Sequence, residues 1–130
     1  MNEKLLAGVA ALDLTDAKGF FCGKSLATLG VDVIKIERPQ GDVERWYPPF
    51  HRDDPGIERS LYWKSFNTDK RGITLDISVP QGKELLLRLV KTCDILIESF
   101  APGYMAGLGI GFEDLRVINP KLVMVSITPF

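Results

Sequence analysis

Histidine is nearly missing from this chain: His51 is the one copy among 130 residues. It stands in a loop rich in proline and acidic side chains, without a readable partner, so it reads as a solvated loop residue rather than a catalytic base. Cysteine is almost as scarce. Cys22 and Cys93 make neither a CxxC pair nor a zinc-like spacing. Each lies in an apolar stretch, where a buried free thiol is the ordinary state, so no metal site is expected and a reducing, cytoplasmic setting fits. Charge of one sign is also lacking. The formal net charge of -1 gives no bulk attraction to nucleic acid or to a membrane surface, and any anion site must be local. No apolar run approaches the ~18 residues of a membrane span. The segment from Lys4 to Leu12 imitates a short signal peptide, but Asp13 interrupts it and it reads better as the lead-in to a buried strand. Internal repeats, low-complexity tracts, a nucleophile elbow and a Ser-His-Asp order are all absent.

What is present is an alternation of strands and helices. With 45% hydrophobic and 25% charged residues, the chain suits one globular domain over residues 1–130. Val9 to Leu14 is apolar enough for a strand buried on both faces. Gly19 opens a helix to Leu29, and Gly30 suits its C-terminal cap. Val31 to Ile36 is the second strand. Residues 37–60 carry turn chemistry and form a long loop, which Trp46, Tyr47 and Phe50 are expected to pin down. Leu61 to Phe66 is an apolar segment best read as a short helix. Ile73 to Ile77 is expected as the third strand, with Asp76 inside it and bonding backbone before the next helix. Pro80 suits a first helical position, and Leu85, Leu86, Leu89 and Val90 share one face. Asp94 to Glu98 and Leu122 to Ile127 are the last strands. Between them, a helix from Phe112 to Ile118 turns Phe112, Leu115 and Ile118 inward and stops at Pro120. The expected fold is α/β: a Rossmann-like, doubly wound, mainly parallel five-stranded sheet with flanking helices.

Such sheets bind ligands beyond the carboxyl ends of their strands. The first of these turns, Asp13 to Gly19, has one glycine where a dinucleotide domain needs G-x-G-x-x-G, which argues against NAD-type binding. Glu37 stands where such a domain places a ribose-binding acid, but Arg38 beside it favours a phosphate. Lys70 and Arg71 precede the third strand. An arginine fork suits phosphate oxygens, and Arg38 carries the most weight because it lies at the ligand edge. Asp13, Asp16 and Glu98 are candidate carboxylates near strand ends. Gly107-Leu-Gly-Ile-Gly111 follows no strand directly and reads as helix-ending turns.

An ordered series of short segments resembles the N-terminal part of the family III CoA-transferases, the group typified by formyl-CoA and carnitine CoA-transferases. It runs through Leu12-Asp-Leu-Thr15, Leu29-Gly-Val-Asp-Val-Ile-Lys-Ile-Glu-Arg-Pro39, Gly41-Asp42 and Asn67-Thr-Asp-Lys-Arg71. It continues through Asp94-Ile-Leu-Ile-Glu-Ser-Phe-Ala-Pro-Gly103, Ile118-Asn-Pro-Lys-Leu-Val123 and Ser126-Ile-Thr-Pro-Phe130. No single motif is diagnostic; the order and spacing are.

The resemblance implies an enzyme that moves coenzyme A between an acyl-CoA and a carboxylic acid through an aspartyl anhydride and thioester, with no metal. It implies a longer, two-domain parent that forms an interlocked homodimer. The aspartate of that family lies past the position matching Phe130, so this chain is expected to hold CoA without the nucleophile, as a truncated domain inactive alone. The carried-over CoA contacts are Arg38 at the adenosine phosphate, Leu75 at the adenine, Ser99 and Phe100 after the fourth strand, and Tyr104 nearby. Three departures stand out. Ser99 replaces the usual Asn, the first turn is one residue shorter, and Gly107 stands where many members carry an arginine for a CoA phosphate. Losing one such charge-assisted contact costs ~1.5–3 kcal/mol. Racemases of α-methyl acyl-CoA share the pattern before Phe130, and a non-catalytic nucleotide- or partner-binding module is the third reading.

Overall fold

A computed structural model describes residues 4–129. Five strands form one parallel sheet: β1 (Ala10–Leu14), β2 (Asp32–Glu37), β3 (Arg71–Thr74), β4 (Ile95–Glu98) and β5 (Val123–Ser126), in the order β3-β2-β1-β4-β5. The order reverses at β1, and the crevice of a doubly wound sheet opens at that point. The helices are α1 (Phe20–Leu29), α2 (Leu61–Asn67), α3 (Pro80–Val90), α4 (Tyr104–Gly107) and α5 (Phe112–Ile118). Among the described residues, no helix is long and apolar enough to cross a membrane.

The sheet explains the two apolar parities of the central strands. Leu12 and Leu14 of β1, Ile36 of β2 and Leu96 of β4 pack with Leu86 and Val90 of α3 and Leu115 of α5. Ala11 and Val33 turn to the opposite face and meet Ala27 and Val31. Both faces of β1 are covered, as its unbroken apolar run requires. Helix α1 ends at Gly30, whose φ of 108° is the left-handed cap expected there. Leu6 N–H then reaches Leu29 O at 2.9 Å, tying the lead-in to the end of α1.

Four expectations need correction. The third strand lies earlier, at Arg71–Thr74, and all four residues are exposed. Leu75, Asp76 and Ile77 follow it as a turn, where Asp76 Oδ1 accepts from the N–H and hydroxyl of Ser78 at 2.9 and 2.5 Å. Asp76 does bond backbone before the next helix, but from outside the strand. On α3 the buried stripe is Gly82, Leu86 and Val90, while Leu85 is exposed. On α5 only Leu115 is fully buried; Phe112, at the first helical position, is exposed. The long loop is not held by burying Trp46 and Tyr47, which stay exposed. It folds into two single-turn 3₁₀ segments, Val43–Trp46 and His51–Asp53. Polar bonds hold it: Ser60 Oγ donates to Tyr47 O at 2.7 Å, caps α2 by accepting from Trp63 N–H at 3.0 Å, and lies against Glu44 O. Tyr47 still contributes by packing on Tyr62, ring centroids 5.7 Å apart.

Gly82 marks a close approach. A Cβ built on it would lie 1.6 Å from the Asp76 carbonyl oxygen. Only glycine lets the first turn of α3 seat against the 75–77 segment, and that segment forms one wall of the site.

Candidate functional site

A cleft of about 450 Å³ opens along the carboxyl ends of β3, β2, β1 and β4. Its wall passes from Leu75 after β3, through Arg38 after β2 and Asp16 after β1, to Ser99 and Phe100 after β4, with Tyr104 of α4 closing the end. Arg38, Leu75, Ser99, Phe100 and Tyr104, far apart in sequence, thus line one cavity. Phe100 and Tyr104 stack with ring centroids 4.8 Å apart and planes inclined 34°. Leu75 is set at the rim by its N–H, which donates to Glu37 O at 2.7 Å.

Two side chains join the ends of β1 and β4. Asp16 N–H donates to Ser99 Oγ at 2.8 Å, and Ser99 Oγ donates to Asp16 Oδ1 at 2.9 Å. Asp16 also pairs with Lys18. Burial pushes its carboxyl up, but the bonds from Lys18 and Ser99 outweigh it and hold Asp16 below the usual aspartate range.

The cations separate sharply. Arg38 is exposed on the cleft and has no ion-pair partner among the described residues. Lys70 and Arg71 are committed elsewhere. Lys70 Nζ is buried beneath α1, 2.8 Å from Asp13 Oδ2 and 2.8 Å from Asn67 Oδ1. Burial pulls the Lys70 amine down, and Asp13 partly restores it. Arg71 forks onto Asp32 at the sheet edge. Of the candidate carboxylates, Asp13 is therefore a structural partner. Glu98 is buried and accepts from Phe100 N–H at 2.7 Å, fixing the turn that presents the Phe100 ring. Glu37, the would-be ribose acid, is 4% exposed and held by Arg45. His51 is exposed and does not line the cleft. Gly107 lies at the end of α4 with open space around it: a Cβ there would meet nothing within 4 Å.

Sequence reasoning missed the polar floor. Lys35 sits in an apolar strand with its side chain 2% exposed, at the back of the cleft. Its Nζ donates to Thr15 O at 2.5 Å and lies 3.3 Å from Asp42 Oδ2. Asp42 also accepts from Trp63 Nε1 at 2.9 Å. Burial raises the Asp42 carboxyl, with the nearby Lys35 charge opposing it. The available signal was a lysine at an inward position of the Val-Ile-Lys-Ile strand, which demands a buried partner; the partner came from a loop whose path the pattern does not give.

A model of the family described as CoA-transferase family III matches residues 6–130. The formyl-CoA:oxalate CoA-transferase of Afipia carboxidovorans is 45% identical over 129 residues, covering 98% of this chain and 30% of that protein. The succinyl-CoA:(R)-benzylsuccinate CoA-transferase subunit BbsE of Thauera aromatica is 40% identical over 119 residues, covering 92% of this chain and 29% of that one. A crystal structure of a CaiB/BaiF family protein from Brucella suis superimposes with a TM-score of 0.87 at 39% identity, over 96% of this chain and 33% of that chain. The chain thus spans about 30% of the length of the curated relatives it matches.

Proposed function

Because the chain belongs to CoA-transferase family III, we propose that its 130 residues are the coenzyme A-holding domain of an enzyme that passes CoA between an acyl-CoA and a free carboxylic acid. One observation carries this reading: Arg38, Leu75, Ser99, Phe100 and Tyr104 line a single cleft. The cleft has the chemistry a CoA tail needs. Arg38 supplies an uncommitted guanidinium for a phosphate. Leu75 offers an apolar edge for a purine face. The stacked Phe100 and Tyr104 give the pantetheine arm an aromatic wall.

In the parent, a carboxylate attacks the thioester carbonyl and expels CoA thiolate, leaving a mixed anhydride. The thiolate returns to form an enzyme thioester and frees the donor acid; the acceptor acid then takes the same path in reverse. This chain's part is to keep the departing CoA bound and oriented between those steps. We place the nucleophile outside these residues, so the chain alone exchanges no thioester. The parent's partners are an acyl-CoA and a carboxylic acid, and its assembly is a homodimer.

Calorimetric titration with CoA tests the site. The wild-type chain binds, and Arg38→Ala weakens binding by ~1.5–3 kcal/mol, the worth of one charge-assisted contact. Equal binding by both proteins removes Arg38 from the site.

A further inference from the structure

Arg38 has no ion-pair partner among the described residues, yet the turn that carries it is tightly tied. Gly41 N–H donates to Arg38 O at 2.8 Å, closing the four-residue turn Arg38-Pro39-Gln40-Gly41. Gly41 takes a φ of 80°, the left-handed conformation that glycine adopts without steric cost. Both ends of the turn converge on one carboxylate. Glu37 directly precedes it, and Glu37 Oε2 accepts from Asp42 N–H at 2.8 Å, directly after it. Arg45 then grips Glu37 in a fork, Nε to Oε2 at 2.6 Å and Nη2 to Oε1 at 2.7 Å. The Arg45 guanidinium carbon lies 3.6 Å from the Trp63 ring centroid, and Trp63 Nε1 returns to Asp42. Arg45 is thus shut between a carboxylate and an indole and is unavailable to a ligand.

From this geometry we infer that Arg45 is a positioning residue for the CoA site: by locking Glu37 it fixes the 38–41 turn and so aims Arg38 at the adenosine phosphate. The inference rests on the CoA reading above. It also gives a use to a carboxylate that dinucleotide-binding sheets leave open to a ribose. Here that acid is turned inward to hold the turn rather than the ligand. A fork is required because two parallel bonds set an orientation that a point charge does not.

The test compares CoA with 3′-dephospho-CoA, which lacks one phosphate, by calorimetry on the 130-residue chain. Wild type is expected to prefer CoA by about 10-fold or more, the range of a charge-assisted contact. In Arg45→Met the preference falls toward one, while affinity for 3′-dephospho-CoA changes by less than about threefold. Arg45→Lys, with the charge but not the fork, falls between. An unchanged preference in Arg45→Met, or an equal loss for both ligands, overturns the assignment. If Arg45→Met shows no cooperative melt, Glu37→Gln carries the same test. It removes the carboxylate that Arg45 and the Asp42 N–H both bond, so its preference drops at least about threefold; no drop overturns the assignment. A wild-type chain that binds both ligands equally also overturns it while leaving the CoA cleft standing. A wild-type chain that binds neither refutes the CoA reading itself, and the assignment with it.

Discussion

Ser99 and Asp16 exchange two hydrogen bonds across the mouth of the crevice, 2.8 Å from Asp16 N–H to Ser99 Oγ and 2.9 Å from Ser99 Oγ to Asp16 Oδ1. A single hydroxyl thereby joins the ends of β1 and β4, the two strands that flank the reversal of strand order. Ser99→Ala deletes both bonds in a part-buried setting and is expected to cost about 1–3 kcal/mol of unfolding free energy. Denaturant melts of the wild type and the variant at matched pH measure it; a change below ~0.5 kcal/mol would show that the clamp is idle.

Gly107 offers the reverse experiment. Its surroundings are open, and it closes α4 close behind Tyr104. Gly107→Arg adds a cation one helical turn from Tyr104, so on the proposed CoA reading CoA should bind roughly 10-fold more tightly at low salt. The gain should shrink as ionic strength rises, because an exposed charge is screened. Titrations at two salt concentrations check both statements.

Beneath α1, Asp13 and Lys70 form an ion pair with both side chains buried. Lys70→Met leaves the aspartate without its counter-charge and should destabilise the domain by about 3–5 kcal/mol. The double variant Asp13→Asn with Lys70→Met should be more stable than Lys70→Met alone, since no uncompensated charge remains. If the double variant is the less stable one, desolvation is not the cause of the loss.

Acid should loosen the Arg45 clamp. Burial pushes the Glu37 carboxyl up, but the Arg45 fork and the Asp42 N–H overcome this and hold it below the usual glutamate range. A carboxyl lowered in the folded state contributes stability that is complete above the unfolded value of about 4.3 and is lost as pH falls through the lower folded value. The stability gap between wild type and Glu37→Gln should therefore be widest above about pH 5 and narrow toward pH 3. Asp42, raised by burial, acts with the opposite sign, so the comparison with Glu37→Gln is needed to isolate Glu37. A gap that does not change with pH would contradict the assignment.

The thiols should be inert. Burial pushes Cys93 up to about 11, and it raises Cys22 as well. Thiolate is the reactive form, so a chromogenic disulfide reagent at pH 8 should modify neither cysteine quickly in the native chain and both after denaturation.

The central sheet was legible because β1, β2 and β4 are buried and their composition reports it. The edge strand β3 was not. Its residues are all exposed, so the apolar alternation of Ile73, Leu75 and Ile77 pulled the expected strand past its true end. Leu85 and Phe112 were assigned inward by helical spacing, which fixes a stripe but not its rotation against the sheet. The five cleft residues follow from the family resemblance; Arg38, Leu75, Ser99 and Phe100 sit just after strands, where topology gathers them, and Tyr104 opens α4 beside them. The floor and brace of the cleft were hidden for the opposite reason. Lys35, Asp42, Arg45 and Trp63 meet only because the 37–60 loop doubles back, and no local period encodes that path.

The placement of the two indoles has a practical consequence. Trp63 lies against the Arg45 guanidinium with its N–H bonded to Asp42, whereas Trp46 is 57% exposed. Emission from Trp46 should sit at long wavelength and respond to added quencher, leaving the shielded component to Trp63. Trp63, linked through Arg45 and Asp42 to the ends of the 38–41 turn, is therefore an intrinsic optical reporter for that turn, whose state can be followed in real time without a label.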